Sequence, residues 1–414
     1  MMGNRGAPKI VLVNHYFYPD QSATSQLLTD LARALAQSSF AVHVICSRQL
    51  YGDPGARLAP QESTGGVTVH RIWTTRFGRS RLLGRAVDYL TFYCSSALTM
   101  VRLLRQGDTL IAKTDPPLIS IVAMAAAKLR GARLINWLQD LFPEVASLLG
   151  ANPLPRPLDA LLRGCRNRSL QYARMNVVLG ERMRDRLLRL GVPANRIEII
   201  ENWAEFGQEG PKDAADSALR AQIKVTAKFV VGYSGNLGRA HEFQTLLGAA
   251  EILKSDAEIL FLMIGGGAGM ITLLDAAKKR GLDNFMFLPY QPRESLCDSL
   301  AAPDMHWVSL LPELEGCIVP SKFYGILAAA RPTVFIGDTE GELARAIRVG
   351  QCGHTVAVGD VDALVGAIRR LKTDSAHRNR LGSNAYRRYC EHYSSPRALA
   401  RWVEIVRSTN PRRD

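Results

Sequence analysis

The chain has 414 residues, 47% of them hydrophobic and 22% charged, with no biased tract, which excludes fibrous and disordered classes and allows two domains with separate cores. Its seven cysteines, at 46, 94, 165, 297, 317, 352 and 390, show no C-x-x-C and no Cys/His spacing suited to zinc, so a reduced, cytoplasmic protein with no metal site is expected. Charge is uneven: residues 1–205 carry 26 Lys+Arg against 15 Asp+Glu, whereas the remainder carries 26 against 23. A basic first half suggests a polyanionic partner such as nucleic acid, anionic lipid head groups or a phosphorylated carrier, unless it reflects a general preference for arginine.

The start, MMGNRGAPKIVLVN, runs straight into a strand without the apolar core and cleavage site of a signal peptide. Strands are predicted over 10–13, 41–46, 67–72, 110–112, 134–137 and 176–179, with helices over 26–37, 118–130 and 158–173. This alternation implies βαβ crossovers and a mainly parallel sheet, whose ligands sit at the carboxyl ends of the strands. Three strand-end turns are informative. The turn at 15–22 is rich in aromatic and hydrogen-bonding groups, including His15 and Gln21. The turn at 114–117 reads as a helix cap. The turn at 139–144 places Asp140 and Glu144 just past a strand, where a carboxylate can bind a substrate hydroxyl or cap the next helix.

Residues 79–105 recur in apolar character at helical spacing (Leu83, Val87, Leu90, Cys94, Ala97, Val101, Leu104), with Arg79, Arg81, Arg85, Arg102 and Arg105 near the ends. Asp88 and these arginines argue against a spanning helix, which needs about 20 uninterrupted apolar residues. An interfacial helix with basic ends and a buried helix of the first domain both remain open.

A linker is read at 204–213, and a second αβ series follows. Strands over 229–233, 259–264, 285–288 and 306–310 end in turns containing Gly235, Asn236 and Arg239, then Gly265–Gly266–Gly267, then Tyr290. Glycines between a buried strand and a helix let a diphosphate approach the backbone, although neither a Walker loop nor a good G-x-G-x-x-G is present. Tyr290 is placed to stack on a base. Residues 311–342 (LPELEGCIVPSKFYGILAAARPTVFIGDTEGE) hold Glu315, Gly316 and then Pro320–Ser321–Lys322 at a helix start; unpaired amides there, with Lys322 beside them, suit a phosphate. A helix over 323–330 and a strand over 333–336 come next. The tail is read as helices over 361–372 and 376–391, then one capped by Ser395 and reaching about 407.

Taken in order, the segments NHYFYPDQSATSQL, TDPPL, QDLFPE, IIENWAE, YSGNLGRAHEF, MIGGG, FLPYQPRE and EGCIVPSKFYGILAAARPTVFIG resemble those of retaining glycosyltransferases of family 4, and in particular the WbuB-type amino-sugar (fucosamine) transferases of O-antigen and capsule synthesis. The resemblance implies an α/β fold of the GT-B type, with two Rossmann-like doubly wound domains facing a central cleft. It implies an N-terminal acceptor domain over 1–205, a C-terminal nucleotide-sugar domain over 206–394, and a last helix, 395–414, that packs back on the first. EGCIVP lines up with the family's E-G-F-G-L-P, so Glu315 is similar in position to the glutamate that contacts the donor sugar, and Gly316 and Cys317 would offer backbone amides. The second glutamate of the family pattern, which holds the ribose, is missing, and Glu342, or else Glu340, is expected to replace it. Asn236 and His241 stand where the family has its paired diphosphate cations, which leaves Arg239 and Lys322, with Gly235 and Ser321, for that role. Asp140 falls near the family's His-Asp turn, with Gln139 in place of the histidine.

These readings give a metal-independent transferase without cofactor, using a nucleotide sugar (UDP-linked expected) and a polyprenyl-diphosphate-linked saccharide acceptor. His15, Gln21 and Glu144 are expected on the acceptor side, and the protein is expected on an anionic membrane surface at the inner face of the cell membrane. A sugar-nucleotide 2-epimerase of the same shape is an alternative, but it would need more acid/base groups. A basic nucleic-acid-binding module is another, against which stand the near-neutral second half and the lack of a nucleic-acid motif.

Overall fold

The computed structural model describes residues 8–53, 55–78, 82–150, 155–204, 210–226 and 228–409. Arg79, Arg81, part of the linker (205–209) and residues 410–414 of the closing segment lie outside the described residues. The chain forms two compact units, one of residues 1–201 with 396–414 and the other of residues 202–395.

The first unit is built on eight strands: β1 (Lys9–Val13), β2 (Ala41–Ser47), β3 (Gln61–Thr64), β4 (Val67–Ile72), β5 (Thr109–Lys113), β6 (Arg133–Trp137), β7 (Met175–Val178) and β8 (Ile197–Ile199), in the order 3-4-2-1-5-6-7-8. All neighbours are parallel except β3, which pairs antiparallel with β4. The near-continuous apolar runs of β1 and β5 follow from burial on both faces. Helix α1 (Ala23–Gln37) and helix α2 (Leu82–Leu103) supply crossovers. The last helix, Ser395–Thr409, belongs to this unit: Trp402 is fully buried with its ring 4.9 Å from that of Trp137, and Arg401 pairs with Glu198.

Helix α2 is half core and half surface, so packing within the first unit accounts for only part of its apolar side chains. Phe92, Met100 and Leu104 join the core of the first sheet, while Leu83, Val87, Leu90 and Leu98 face out. The stripe read from sequence therefore runs from exposed Leu83, Val87 and Leu90 to buried Leu104. Asp88 is buried, accepting from the Thr75 hydroxyl (2.6 Å) and the amides of Phe77 (3.1 Å) and Gly78 (2.9 Å); it clasps the preceding loop. Among the described residues no helix is long and apolar enough to cross a membrane.

The second unit has six parallel strands: β9 (Phe229–Asn236), β10 (Ile259–Gly266), β11 (Phe285–Leu288), β12 (Met305–Ser309), β13 (Thr333–Ile336) and β14 (Gly353–Val356), in the order 11-10-9-12-13-14. β9 and β10 run further than the sequence suggested: Ser234, Gly235 and Asn236 pair with Ile264, Gly265 and Gly266. The glycines read as a loop are thus strand residues, brought into a tight backbone approach. Both units are Rossmann-like.

Candidate active site

In the second unit, four of the expected residues come together at the ends of β9 and β10. Gly235 has φ +131°, and a Cβ there would meet Lys322 Cε at 2.6 Å. At Gly265 a Cβ would meet the Gly235 carbonyl at 2.2 Å, and at Gly267 the Asn236 side-chain oxygen at 2.3 Å. A Cβ on Gly266 would touch the Tyr290 ring at 3.0 Å. Each glycine therefore clears space that another side chain or backbone group occupies. Tyr290, 60% exposed, presents its ring beside this glycine run.

Lys322 is half-buried, with its Nζ 5.2 Å from the centre of the Tyr233 ring. Desolvation lowers its pKa from 10.5 to about 8. An ammonium held with so little water favours an anionic ligand. His241 lies in the same neighbourhood, and its Nδ1 donates to the Ser309 carbonyl at 2.7 Å. Burial, then the Lys322 charge, lowers its pKa to about 3. The ring is thus neutral at pH 7 with Nε2 as an acceptor, so it cannot serve as a second cation. Arg239 is exposed and pairs with no described carboxylate. Ser321 is exposed and precedes the helix Lys322–Ala328 without a side-chain cap.

Glu315 is held against another helix. Its Oε2 accepts from the Glu342 amide at 3.1 Å, and a Cβ on Gly341 would strike its Oε1 at 2.2 Å. The carboxylate therefore caps the helix Glu342–Gly350, favoured by the positive end of that helix. This places Glu315 and Glu342 side by side. Glu340 is instead tied at the surface to Arg348 (3.0 Å). Gly316 takes φ +71°, the left-handed turn that favours glycine. The Cys317 amide differs from expectation: it donates to the Leu314 carbonyl (2.9 Å) in the tight turn and is not available to a ligand.

In the first unit, Asp140 is half-buried at the end of β6, and burial, followed by the Asp115 charge, pushes its pKa up to about 6 while Lys113 opposes. Two acceptor-side expectations are corrected. His15 is only 2% exposed, sandwiched between Tyr16 (4.4 Å) and Phe92 (4.7 Å), because its aromatic loop folds inward onto α2. Glu144 is used in structural pairs with Arg166 (3.0 Å) and Arg163 (3.1 Å), which lock the helix Arg156–Tyr172 to the strand-end turn. Gln21 is exposed, its carbonyl accepting from the Gln26 side chain (2.6 Å). Sequence reading missed Lys113, since a lone lysine ending an apolar strand gives no pattern, and it took Asp115 only as part of a helix cap.

Two family models match the chain: residues 23–203 match the Glycosyl transferase 4-like domain and residues 216–388 match Glycosyl transferases group 1. The chain is built from two glycosyltransferase domains. Its reaction class is glycosyl transfer. Among similar proteins, WcaI of Escherichia coli (strain K12), named as a colanic acid biosynthesis glycosyl transferase, is 27% identical over 87% of this chain and 91% of its own. Sucrose-phosphate synthase from Thermosynechococcus elongatus superposes with a TM-score of 0.75 at 16% identity, covering 97% of this chain and 98% of that one. Anabaena HepE, solved with UDP and glucose, gives 0.71 at 16% identity over 97% and 100%. The fold shared with these neighbours is GT-B.

Proposed function

We propose that the protein is a retaining, metal-independent glycosyltransferase that moves a sugar from a UDP-linked donor to a polyprenyl-diphosphate-linked saccharide in cell-surface polysaccharide synthesis. The observation that carries this reading is the Gly235–Lys322 contact: a strand-end glycine cleared for one partly desolvated ammonium, beside a glycine run and an exposed tyrosine. A leaving diphosphate needs its charge stabilised; Lys322 and nearby backbone amides supply held donors, and the exposed Arg239 adds a second cation. Glu315 orients the donor sugar, Glu342 takes the ribose hydroxyls, and Tyr290 stacks on the base. Asp140 orients the acceptor hydroxyl. The UDP found with HepE and the colanic acid role given to WcaI support the nucleotide and the pathway class. An N-acetylated or deoxy amino sugar is the donor sugar we favour, from the resemblance to amino-sugar transferases. The outward face of α2, with Arg102 and Arg105 near its end, suits an anionic membrane at the cytoplasmic side.

The test is a thermal-shift panel of nucleotide sugars followed by turnover. A ligand at 100 times its dissociation constant stabilises by about 2.7 kcal/mol. Lys322→Ala and Arg239→Ala should abolish the shift given by UDP alone, whereas Glu315→Ala should keep that shift and lose turnover. Unchanged UDP binding in both cation variants would refute the site.

A further inference from the structure

A cavity of about 220 Å³ opens at the edge of the first sheet where the strands begin, opposite the strand-end turn that carries Asp140. Arg174, Met175, Asn195, Arg196, Ser408 and Thr409 line it, and all six belong to the first unit. The strand register explains how they meet. Asn176 of β7 lies beside Ile197 of β8 in a parallel pair, so Arg174 and Asn195, then Met175 and Arg196, stand side by side as the two strands start. The end of the last helix, Ser408 and Thr409, supplies the remaining wall.

The cavity is held from behind. Asn176, with no exposed surface, donates its side-chain amide to the carbonyls of Arg196 (3.2 Å) and Leu170 (2.9 Å), and its side-chain oxygen accepts from Asn136 (3.0 Å). The Arg196 guanidinium, partly buried, donates through Nη1 to the Gln171 carbonyl at 2.8 Å, which fixes its plane and leaves its other N–H groups for a ligand. Arg174 is exposed, and neither arginine pairs with a described carboxylate. Glu198, two residues past Arg196, is engaged by Arg401 of the last helix, and no acidic side chain lines the cavity. The hydroxyls of Ser408 and Thr409 already donate to the Ile405 carbonyl, at 2.9 Å each. The donors left for a ligand are therefore the two guanidiniums and the Asn195 side chain.

We propose that this cavity is a second ligand site of the first unit, and that it takes inorganic phosphate or a small phosphate monoester. A guanidinium fork matches two phosphate oxygens at once, and it does so better than an ammonium. Two like charges on one small cavity repel, and a doubly charged anion between them replaces that repulsion with attraction. The volume admits a phosphate on a short organic group. It lies below the ~300–1,000 Å³ of sites for drug-sized ligands, which leaves out a nucleotide sugar. An anion seated there lies between the starts of β7 and β8 and the end of the last helix, so occupancy stabilises the folded first unit. None of this rests on the transferase reading.

The experiment is a thermal-shift titration of the full-length protein with sodium phosphate at pH 7, against sodium chloride of equal ionic strength. It is repeated in Lys322→Met, so that phosphate bound beside that lysine does not contribute. A saturable upward shift is expected in both proteins. Arg174→Met and Arg196→Met, each combined with Lys322→Met, should weaken the apparent phosphate affinity about tenfold or more, as the loss of a hydrogen bond to a charged group does. No shift beyond that of chloride, or one that Arg174→Met leaves intact, would overturn the proposal. The Arg174 guanidinium bonds no described group, so this variant decides even if Arg196→Met, which loses the Gln171 bond, fails to fold. With Lys322 intact, Arg174→Met should leave UDP affinity unchanged; a matching loss of UDP affinity would place the anion at the donor site and likewise sink the idea. Glycerol phosphate and vesicles containing phosphatidic acid, each with Arg174→Met as control, separate a soluble ester from a lipid head group. If the protein binds no UDP at all, the transferase reading fails and the phosphate titration still decides this site.

Discussion

Lys322 gives the sharpest prediction, because its ligand affinity should depend on pH in a way set by its surroundings. Its pKa in the free protein is lowered to about 8 by desolvation, from an ordinary 10.5. A diphosphate beside the ammonium favours the charged form and so raises that value on binding. The sign follows: below pH 8 the lysine is already charged and affinity is flat, and above it each binding event must take up a proton. Affinity for UDP should therefore fall by about tenfold per pH unit above 8, until the pKa of the bound state is reached. His241, already neutral above about 3, does not titrate in this window, and the Tyr233 hydroxyl, pushed upward by burial, does not either. Isothermal titration calorimetry between pH 7 and 9.5 in buffers of different ionisation heat measures both the slope and the proton. Lys322→Met should weaken binding at pH 7 by about 1.5–3 kcal/mol, the usual worth of a hydrogen bond to a charged group, and should flatten the profile. A wild-type affinity that is constant from pH 7 to 9.5, or a slope that survives in Lys322→Met, would refute the assignment.

Gly235→Ala should destabilise by about 1–3 kcal/mol through its positive φ and should also weaken UDP binding, since the new methyl takes the place of Lys322 Cε; urea denaturation and calorimetry read the two effects separately. Glu144→Gln should cost about 3 kcal/mol of stability by leaving the buried Arg166 guanidinium short of a counter-charge, and should leave the KM of the folded enzyme for acceptor unchanged. Leu83→Asp with Leu90→Asp should reduce co-sedimentation with anionic vesicles at both low and high salt without altering thermal stability, because both side chains are more than half exposed.

The strand and helix series was readable from sequence because parallel strands buried on both faces appear as short unbroken apolar runs, as in 10–13 and 259–264. Elements that lack such runs escaped: β3 and β8 are short edge strands, and β3 shows a mixed half-exposed pattern. At the candidate site, glycines and lone charged residues after strand ends marked Gly235, Lys322 and Asp140. What they could not reveal was occupancy. The Cys317 amide and the Glu144 carboxylate are of the right chemical type, yet each is consumed by a neighbour, Leu314 or the pair Arg163 and Arg166, that no local pattern announces.

The same distinction bears on the excess of positive charge in the first half. Many of those arginines are spoken for inside the fold. Arg71 pairs with Glu62 and bonds the Tyr18 carbonyl, Arg166 grips Glu144, Arg130 bonds the Leu104 carbonyl, and Arg196 bonds that of Gln171. A guanidinium bonded to a main-chain carbonyl keeps its charge but has fewer of its five donors, and less freedom, to offer a polyanion. A count of basic residues thus overstates the surface open to nucleic acid or lipid. The membrane reading depends instead on where apolar side chains lie without cover, and on α2 they lie on the side opposite Phe92, Met100 and Leu104. Salt should accordingly release only part of the protein from vesicles: screening weakens the arginine contribution, whereas burial of Leu83, Val87 and Leu90 in the acyl boundary is insensitive to it. Complete release at high salt would mean that the charges alone hold the protein there, and that the exposed face of α2 has another use.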